Sequence, residues 1–377
     1  MTPPRALIAG ILCLGTLSAP RVASAQSAAA ASEADAPPEP YFYKGYDYGS
    51  QALYGPLWVF LNRGFDVLQD RNGTRSIFRQ EYRHNGETVG RNLVNPFPAL
   101  KQRGYARFFR EEIFPISFTP GTARWVPNYT LHLIGGGVTY TGLTEWFRQN
   151  RVPAPRVFSA GTLLASAFLN ETLENKGATK YNTDAVADFF FFDIGGILLF
   201  SFDWPNELFS KYLVVSDWSL QPSFTYPNFD LHNQGNYFAV KAPLPFTSRL
   251  RLFATMGLGT LLGLSYKIDS QYSISGGGGT MASRLISTSQ KNADNDVEFA
   301  SQAGLFVDRN NSLLASLRVT NVQDYFIQFN LYPNAFTVPE LGLWTVVDKG
   351  GHFVTGVSFS KSFGVGAGVG TLGTSEY

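Results

Sequence analysis

Between residues 217 and 363 apolar and polar side chains alternate in segments of roughly ten residues. The clearest places Trp218, Leu220, Pro222, Phe224 and Tyr226 on one side and Asp217, Ser219, Gln221, Ser223 and Thr225 on the other. Successive side chains of a strand point to opposite faces, so the pattern predicts a sheet with one apolar and one polar face. Leu250, Leu252, Ala254 and Met256 repeat it against Arg249, Arg251 and Thr255. Leu313, Ala315, Leu317 and Val319 repeat it against Ser316, Arg318 and Thr320. With weaker segments at 236–243, 283–290 and 340–347, about eight to ten strands are expected, and a tilted strand needs about 9–11 residues to cross a membrane.

Ahead of residue 214 the apolar period is helical. Leu53, Leu57, Trp58, Leu61, Phe65 and Leu68 predict a helix over 50–69, and residues 70–95 are polar and turn-rich. A short amphipathic helix follows over 99–112 with Arg103, Arg107, Arg110 and Glu111 outward, then helices over 127–150, 155–175, 183–200 and 206–213. The glycine clusters at 135–137 and 195–196 lie inside helices, where each Gly costs about 1 kcal/mol, so close helix-to-helix approach is expected there.

The first residues alter the picture. Arg5, the apolar stretch 6–17 and the small residues Ala23, Ser24 and Ala25 predict a signal peptide over 1–25, with a flexible Ala/Ser/Glu/Pro linker over 26–40. The sole cysteine, Cys13, falls within that signal, so the mature chain is expected to lack disulfides and thiolate sites. Together these features predict an α+β protein: a helical region over 41–213, then an antiparallel transmembrane β-barrel over 214–377 in a bacterial outer membrane. The helices are expected in the periplasm or packed against the barrel. A helical membrane bundle is the rival placement, opposed by Glu145, Glu171, Asp188 and Asp193 within the apolar helices.

Composition agrees. Charged residues are 16% and aromatics 15%, and 30 basic residues balance 29 acidic ones, leaving no basic field to attract nucleic acid. The partners expected are membrane lipids and the outer-membrane assembly machinery, with aromatic Tyr377 suiting an assembly signal; oligomeric state is open. The polar faces carry Arg249, Arg251, Lys267, Glu298, Gln302, Arg318 and Asn330, expected to form an internal network that fills a narrow barrel.

Candidate chemistry is sparse. Glu171 and Glu174 share a face of one helix, and Asp184 and Asp188 share a face of the next, with Asn182 between. A turn over 176–181 would join them. Such an oxygen-rich cluster could raise a carboxyl pKa or suit Ca²⁺ or Mg²⁺; helix capping by Glu174, Asn182 and Asp184 is the plainer account. No catalytic residue, cofactor or metal is assigned. The run 170–174, the run 182–188 and Gly195-Gly196 together resemble uncharacterised Gram-negative envelope proteins. In these an acidic helix and an Asp-x-x-x-(Asp/Asn)…Gly-Gly helix precede a β-rich region. The resemblance implies location and architecture, not activity.

A lipid-modifying hydrolase has only His84, His132, His232 and His352 to draw on, and no Gly-x-Ser-x-Gly elbow. His352 near Ser358 and Ser360 is its best pairing. Gly368, Gly370 and Gly373 have dinucleotide spacing without the β-α-β context, and 276–279 reads as a loop at a barrel rim. A non-enzymatic envelope protein of structural, lipid-handling or small-solute role is expected, with a hydrolase or a narrow channel as alternatives.

Overall fold

The computed structural model describes residues 39–70, 75–115, 126–175, 182–287, 295–335, 340–360 and 364–373. The expected signal peptide, most of the linker, the 176–181 turn and Tyr377 lie outside these residues. The fold is α+β, with eight helices among the described residues followed by one mostly antiparallel sheet.

Helix α1 is Pro56–Gly64, and its proline supplies the preset φ that a first helical turn accepts. Helices α2 (Tyr82–Val94) and α3 (Phe97–Arg103) follow. Helix α4 begins at Tyr105–Phe108 and widens into a π turn, Phe109–Ile113. Helix α5 has a π-helical half, Val126–Gly135, and a regular half, Gly136–Gln149. Then come α6 (Pro155–Glu174), α7 (Asp184–Leu199) and α8 (Asp203–Tyr212), the last two meeting at an 86° bend. No single helix among the described residues is long and apolar enough to cross a membrane.

The helices expected over 127–150, 155–175 and 183–200 agree closely with these bounds. Three expectations need correction. The stretch 50–69 is interrupted at Gly55 and Phe65 and is helical only as α1, flanked by short 3₁₀ turns. The polar stretch 70–95 contains α2, whose mixed composition hid a helical face with Val89 fully buried. The 99–112 helix breaks at Gly104, whose φ of +88° favours glycine and ends α3.

The sheet begins with three short strands, β1 (Ser216–Asp217), β2 (Ser223–Tyr226) and β3 (Asp230–His232). A meander follows: β4 (Phe238–Leu244), β5 (Thr247–Met256), β6 (Gly259–Lys267), β7 (Tyr272–Ser287), β8 (Asn295–Arg309), β9 (Ser312–Thr320), β10 (Ile327–Leu331), β11 (Leu341–Val347), β12 (Phe353–Phe359) and β13 (Gly366–Gly370). The spatial order is β1-β4-β5-β6-β7-β8-β9-β10-β11-β12-β13-β2-β3, thirteen strands, and the sheet is not closed. This corrects the expected count of eight to ten. The segment taken as one strand over 217–226 splits into β1 and β2, and glycine-rich β13 carries no alternation to read. The glycines at 276–279 are not a rim loop: they lie inside β7, paired with β6 and β8.

One extended segment, 216–226, joins both ends of the meander. Its first half pairs with β4 and continues through Trp218 N–H to Tyr237 O (2.8 Å) and Leu220 N–H to Gly235 O (3.0 Å). Its second half pairs in parallel with β13. Over 218–223 both of its faces are buried, since Ser219, Gln221 and Ser223 are as enclosed as Trp218 and Leu220, so the polar face expected to be wet is enclosed there, while Tyr226 at the end is exposed.

Elsewhere the alternation is realised with the polarity of a soluble sheet reversed. Leu262, Leu305, Phe329, Phe353 and Val369 are exposed, Leu262 at 68%. Gln302, Asp308, Ser316, Arg318 and Asn330 point inward and are buried, Arg318 at 1%. Lys241 Nζ holds both Asp308 oxygens at 2.8 Å. Arg318 lies 3.7 Å over the Tyr237 ring and 5.4 Å from that of Phe306. Asn330 Oδ1 accepts from Asn233 (2.7 Å) and Gln221 (3.2 Å). Of the expected internal network, Gln302, Arg318 and Asn330 are inside. Arg249, Arg251 and Lys267 are not fully enclosed, Arg249 reaching Tyr266 Oη at 3.3 Å near the β5–β6 strand ends, and the Glu298 side chain lies outside the described residues.

Helices and sheet share a core. Trp58 of α1 packs in one cluster with Phe253, Leu261 and Phe306 on the inner sheet face and with Leu143 and Phe147 of α5. Phe60 and Leu61 pack instead with Leu169 and Leu173 of α6. The aromatic entry segment is pinned to α5, where buried Glu145 accepts the backbone N–H of Tyr41 (2.5 Å), Phe42 (3.0 Å) and Tyr43 (2.7 Å). At the α5–α7 crossing a Cβ on Gly196 would lie 2.5 Å from the Leu133 carbonyl oxygen and 3.2 Å from Gly137 N, so these glycines do serve close helix approach.

Candidate functional site

The inner face of the helical layer gathers ionisable groups from four helices. Asp188 and Asp193 are five residues apart on α7. At about 100° per residue a regular α-helix would separate them by about 140°. The π turn Asp188–Asp193 changes this, because its i→i+5 bonding widens the helix at that point. Both carboxylates then face one imidazole: His132 Nδ1 is 3.4 Å from Asp193 Oδ1, and its Nε2 is 3.8 Å from Asp188 Oδ2. His132 itself comes from the π-helical half of α5. The same turn sends Phe190 and Phe191 outward.

Arg63 at the end of α1 donates through Nη2 to Asp193 Oδ1 (2.5 Å) and through Nη1 to the Leu131 carbonyl (3.3 Å). Asp193 is wholly buried, so the guanidinium is its compensating charge. Asp66, just beyond α1, accepts from Val67 N–H (2.7 Å) and from Asn170 Nδ2 of α6 (2.6 Å). Burial pushes its carboxyl up to about 6 against the partial relief of Arg63.

Glu171 and Asp188 complete the chain. They hydrogen-bond to one another, and each keeps one buried oxygen without a partner. Burial drives both carboxyls well above their ordinary range; after it, Glu174 and Asp184 push Glu171 upward, and Asp184 and Glu171 push Asp188 upward. Two buried carboxylates in contact cannot both ionise cheaply, so sharing of one proton between them is favoured. Glu174 and Asp184 beside it are only partly buried.

The five residues singled out from sequence thus have different positions. Glu171 and Asp188 form the buried pair. Glu174 and Asp184 lie beside it, partly buried, and Asn182, ahead of α7, accepts Asp184 N–H through Oδ1 (2.9 Å). Sequence reasoning missed Arg63, Asp66, His132 and Asp193 as members. They come from three distant stretches, and only the unusual DFFFFD run, an acidic residue at each end of four aromatics, hinted at a helix with a charged and an apolar side. Among the described residues no three His, Cys, Asp or Glu side chains are grouped so as to hold a metal ion.

The other histidine pairing does not form. His352 is exposed in the β11–β12 connection with Nδ1 3.0 Å from Asp348, whereas buried Ser358 points inward and donates to Gln221 Oε1 (2.5 Å). Chemically, the helical cluster can store and pass a proton among carboxyl and imidazole groups. Both His132 nitrogens face carboxylates, so His132 activates no nucleophile in this arrangement. Comparison with protein-family models, with curated proteins and with solved structures finds no match.

Proposed function

We propose that this chain is a non-enzymatic outer-membrane protein whose sheet is the lipid-facing wall of a β-barrel filled by its own side chains and by α1. The observation that carries this reading is the reversed polarity of the sheet. In water, Leu262, Leu305 and Phe353 would expose apolar area while Lys241, Asp308 and Arg318 bear the cost of burial. In a bilayer the same arrangement puts each group where it is stable. Strand lengths of 10, 9 and 9 residues in β5, β6 and β9 suit a tilted crossing. Segment 216–226, bonded to β4 and to β13, supports closure of the wall along that seam.

The interior supports a scaffold or lipid-handling role over a channel: Trp58, Trp218, Tyr237, Arg318, Tyr332 and Trp344 fill it, all fully buried. The proton-holding Glu171–Asp188 pair is then a polar lock within the helical layer. Electrophoresis tests the reading directly. The folded protein should migrate differently unboiled and boiled; identical migration would overturn the barrel.

The same carboxyl pair is what favours a second reading, acid–base chemistry on a lipid. Lipid A and phospholipid composition should then differ between cells with the gene and cells carrying Glu171→Gln. Unchanged composition removes the enzymatic alternative.

A further inference from the structure

We infer that α7 and α8 form a re-entrant apron seated in the lipid beside the sheet, so that the membrane-facing surface of this protein is part helix and part strand. The inference rests on the bilayer reading above and extends it to the helical region. Its starting point is the seam between helices and sheet. Phe238 of β4, on the outer face, is fully buried in a cluster with Leu131 of α5 and Phe200 beyond α7, and Val240, Met256 and Phe209 of α8 pack against it. A Cβ on Gly135 of α5 would collide with the Phe238 ring at 2.6 Å. Helices therefore cover the outer face of β4 by direct packing, and on the next strands that face is bare, with Leu252 and Leu262 exposed.

The helices carry the apolar surface onward. Phe190, Phe191 and Leu198 of α7, Phe202 at the bend, and Trp204 and Tyr212 of α8 are all exposed, Leu198 at 62%. Phe191 also meets Phe109 of α4 edge-on at 6.0 Å between ring centres, joining a further exposed aromatic to the patch. Nothing charged interrupts α7 on this side. The π turn sends Asp188 and Asp193 inward to His132 and Arg63. Charge returns at the bend with exposed Asp203, which accepts from Tyr41 Oη at 3.5 Å, and further along α8, where Glu207 and Lys211 pair at 3.0 Å; Trp204 and Tyr212 there are the residue types that favour a bilayer interface.

The bend decides the mode of insertion. Only together do α7 and α8 reach the length and hydropathy of a membrane span, and an 86° bend between them rules out a straight crossing. A helix that enters and turns back along the interface fits both facts. Its polar inner side faces Arg63 and His132 rather than lipid, which is the condition for such elements at membrane depth.

The test uses full-length protein with Cys13→Ser, refolded into phosphatidylcholine vesicles with or without brominated acyl chains. An environment-sensitive fluorophore is attached at Phe191→Cys, Leu198→Cys, Leu262→Cys or Gln323→Cys, all exposed positions. Brominated lipid should remove most of the emission at 191 and 198, as at sheet position 262, and leave 323 unchanged. Quenching at 262 but not at 191 and 198 overturns the apron and leaves the bilayer reading standing. No quenching at 262 overturns that reading as well. Shielding of 191 from aqueous iodide without bromine quenching, dependent on protein concentration, assigns the face to a second copy and also overturns the inference.

Discussion

Asp66 and Arg63 sit within one turn of each other, yet they answer different questions about the buried cluster. For Asp66 the folded carboxyl titrates at about 6, above its ordinary value of 3.8. The folded state therefore binds the proton more tightly than the unfolded chain does. The contribution of this group is greatest below about pH 4, falls as pH rises to about 6, and is flat beyond, a loss of about 3 kcal/mol. Asp66→Asn should remove that share of the slope, as read from urea midpoints across pH, while Asp217, also raised to about 6 by burial, keeps its own. Arg63→Ala should cost about 3–5 kcal/mol by leaving Asp193 buried and uncompensated, and the double variant Arg63→Met with Asp193→Leu should recover much of it. At this scale sequence goes only part of the way. Glu171 and Asp188 are legible because helical spacing puts each with a neighbouring acid. Asp193 is not, because its alignment with Asp188 depends on a π turn. His132 and Arg63 are not, because nothing local ties them to α7.

Among the elements, the α5–α7 crossing is the joint that holds the site together. Gly196→Ala would push a methyl into the Leu133 backbone, which cannot move aside without moving α5. A loss of about 1–3 kcal/mol is expected. Gly161→Ala on α6, with nothing within 4 Å of its Cβ, should instead stabilise by about 1 kcal/mol. Thermal midpoints of the two variants check the contrast. The close approach at this crossing was readable from the glycines themselves, since two clusters inside helices have a cost that needs a return. The long helices α5, α6 and α7 were readable from their apolar period. Helix α2 was not, since its buried side is made of Asn85, Thr88 and Asn92 beside Val89 and so shows no apolar period, and neither were the short strands β1, β3 and β13, where too few side chains alternate to register a period of two.

The molecule as a whole is set by which side of the sheet is dry. Leu262→Lys separates the two environments: in water a lysine on a surface strand is close to neutral, whereas at mid-bilayer it costs about 2–4 kcal/mol. The variant should refold poorly into vesicles, measured as the fraction of heat-modifiable protein, and a yield equal to the parent's would count against a lipid-facing β6. Alternation alone established two faces but not their environments. Their orientation depends on where Trp58, Phe253 and Phe306 come together, and that contact links α1 to strands far along the chain.

Segment 216–226 imposes an order on assembly. It is the earliest part of the sheet to be synthesised, and on one side it pairs with β4 and β3, both close by in sequence. Its pairing on the other side waits for β13, the last strand among the described residues. Each molecule must therefore hold β2 unpaired on that side until its final strand arrives, and long-range pairings of this kind are slow to form. A chain cut before β13 would present an open edge with every intervening hairpin already made. The last few strand residues thus act as the latch of the whole sheet, and loss of Gly366–Gly370 should arrest folding at a late, edge-exposed intermediate rather than at an early one.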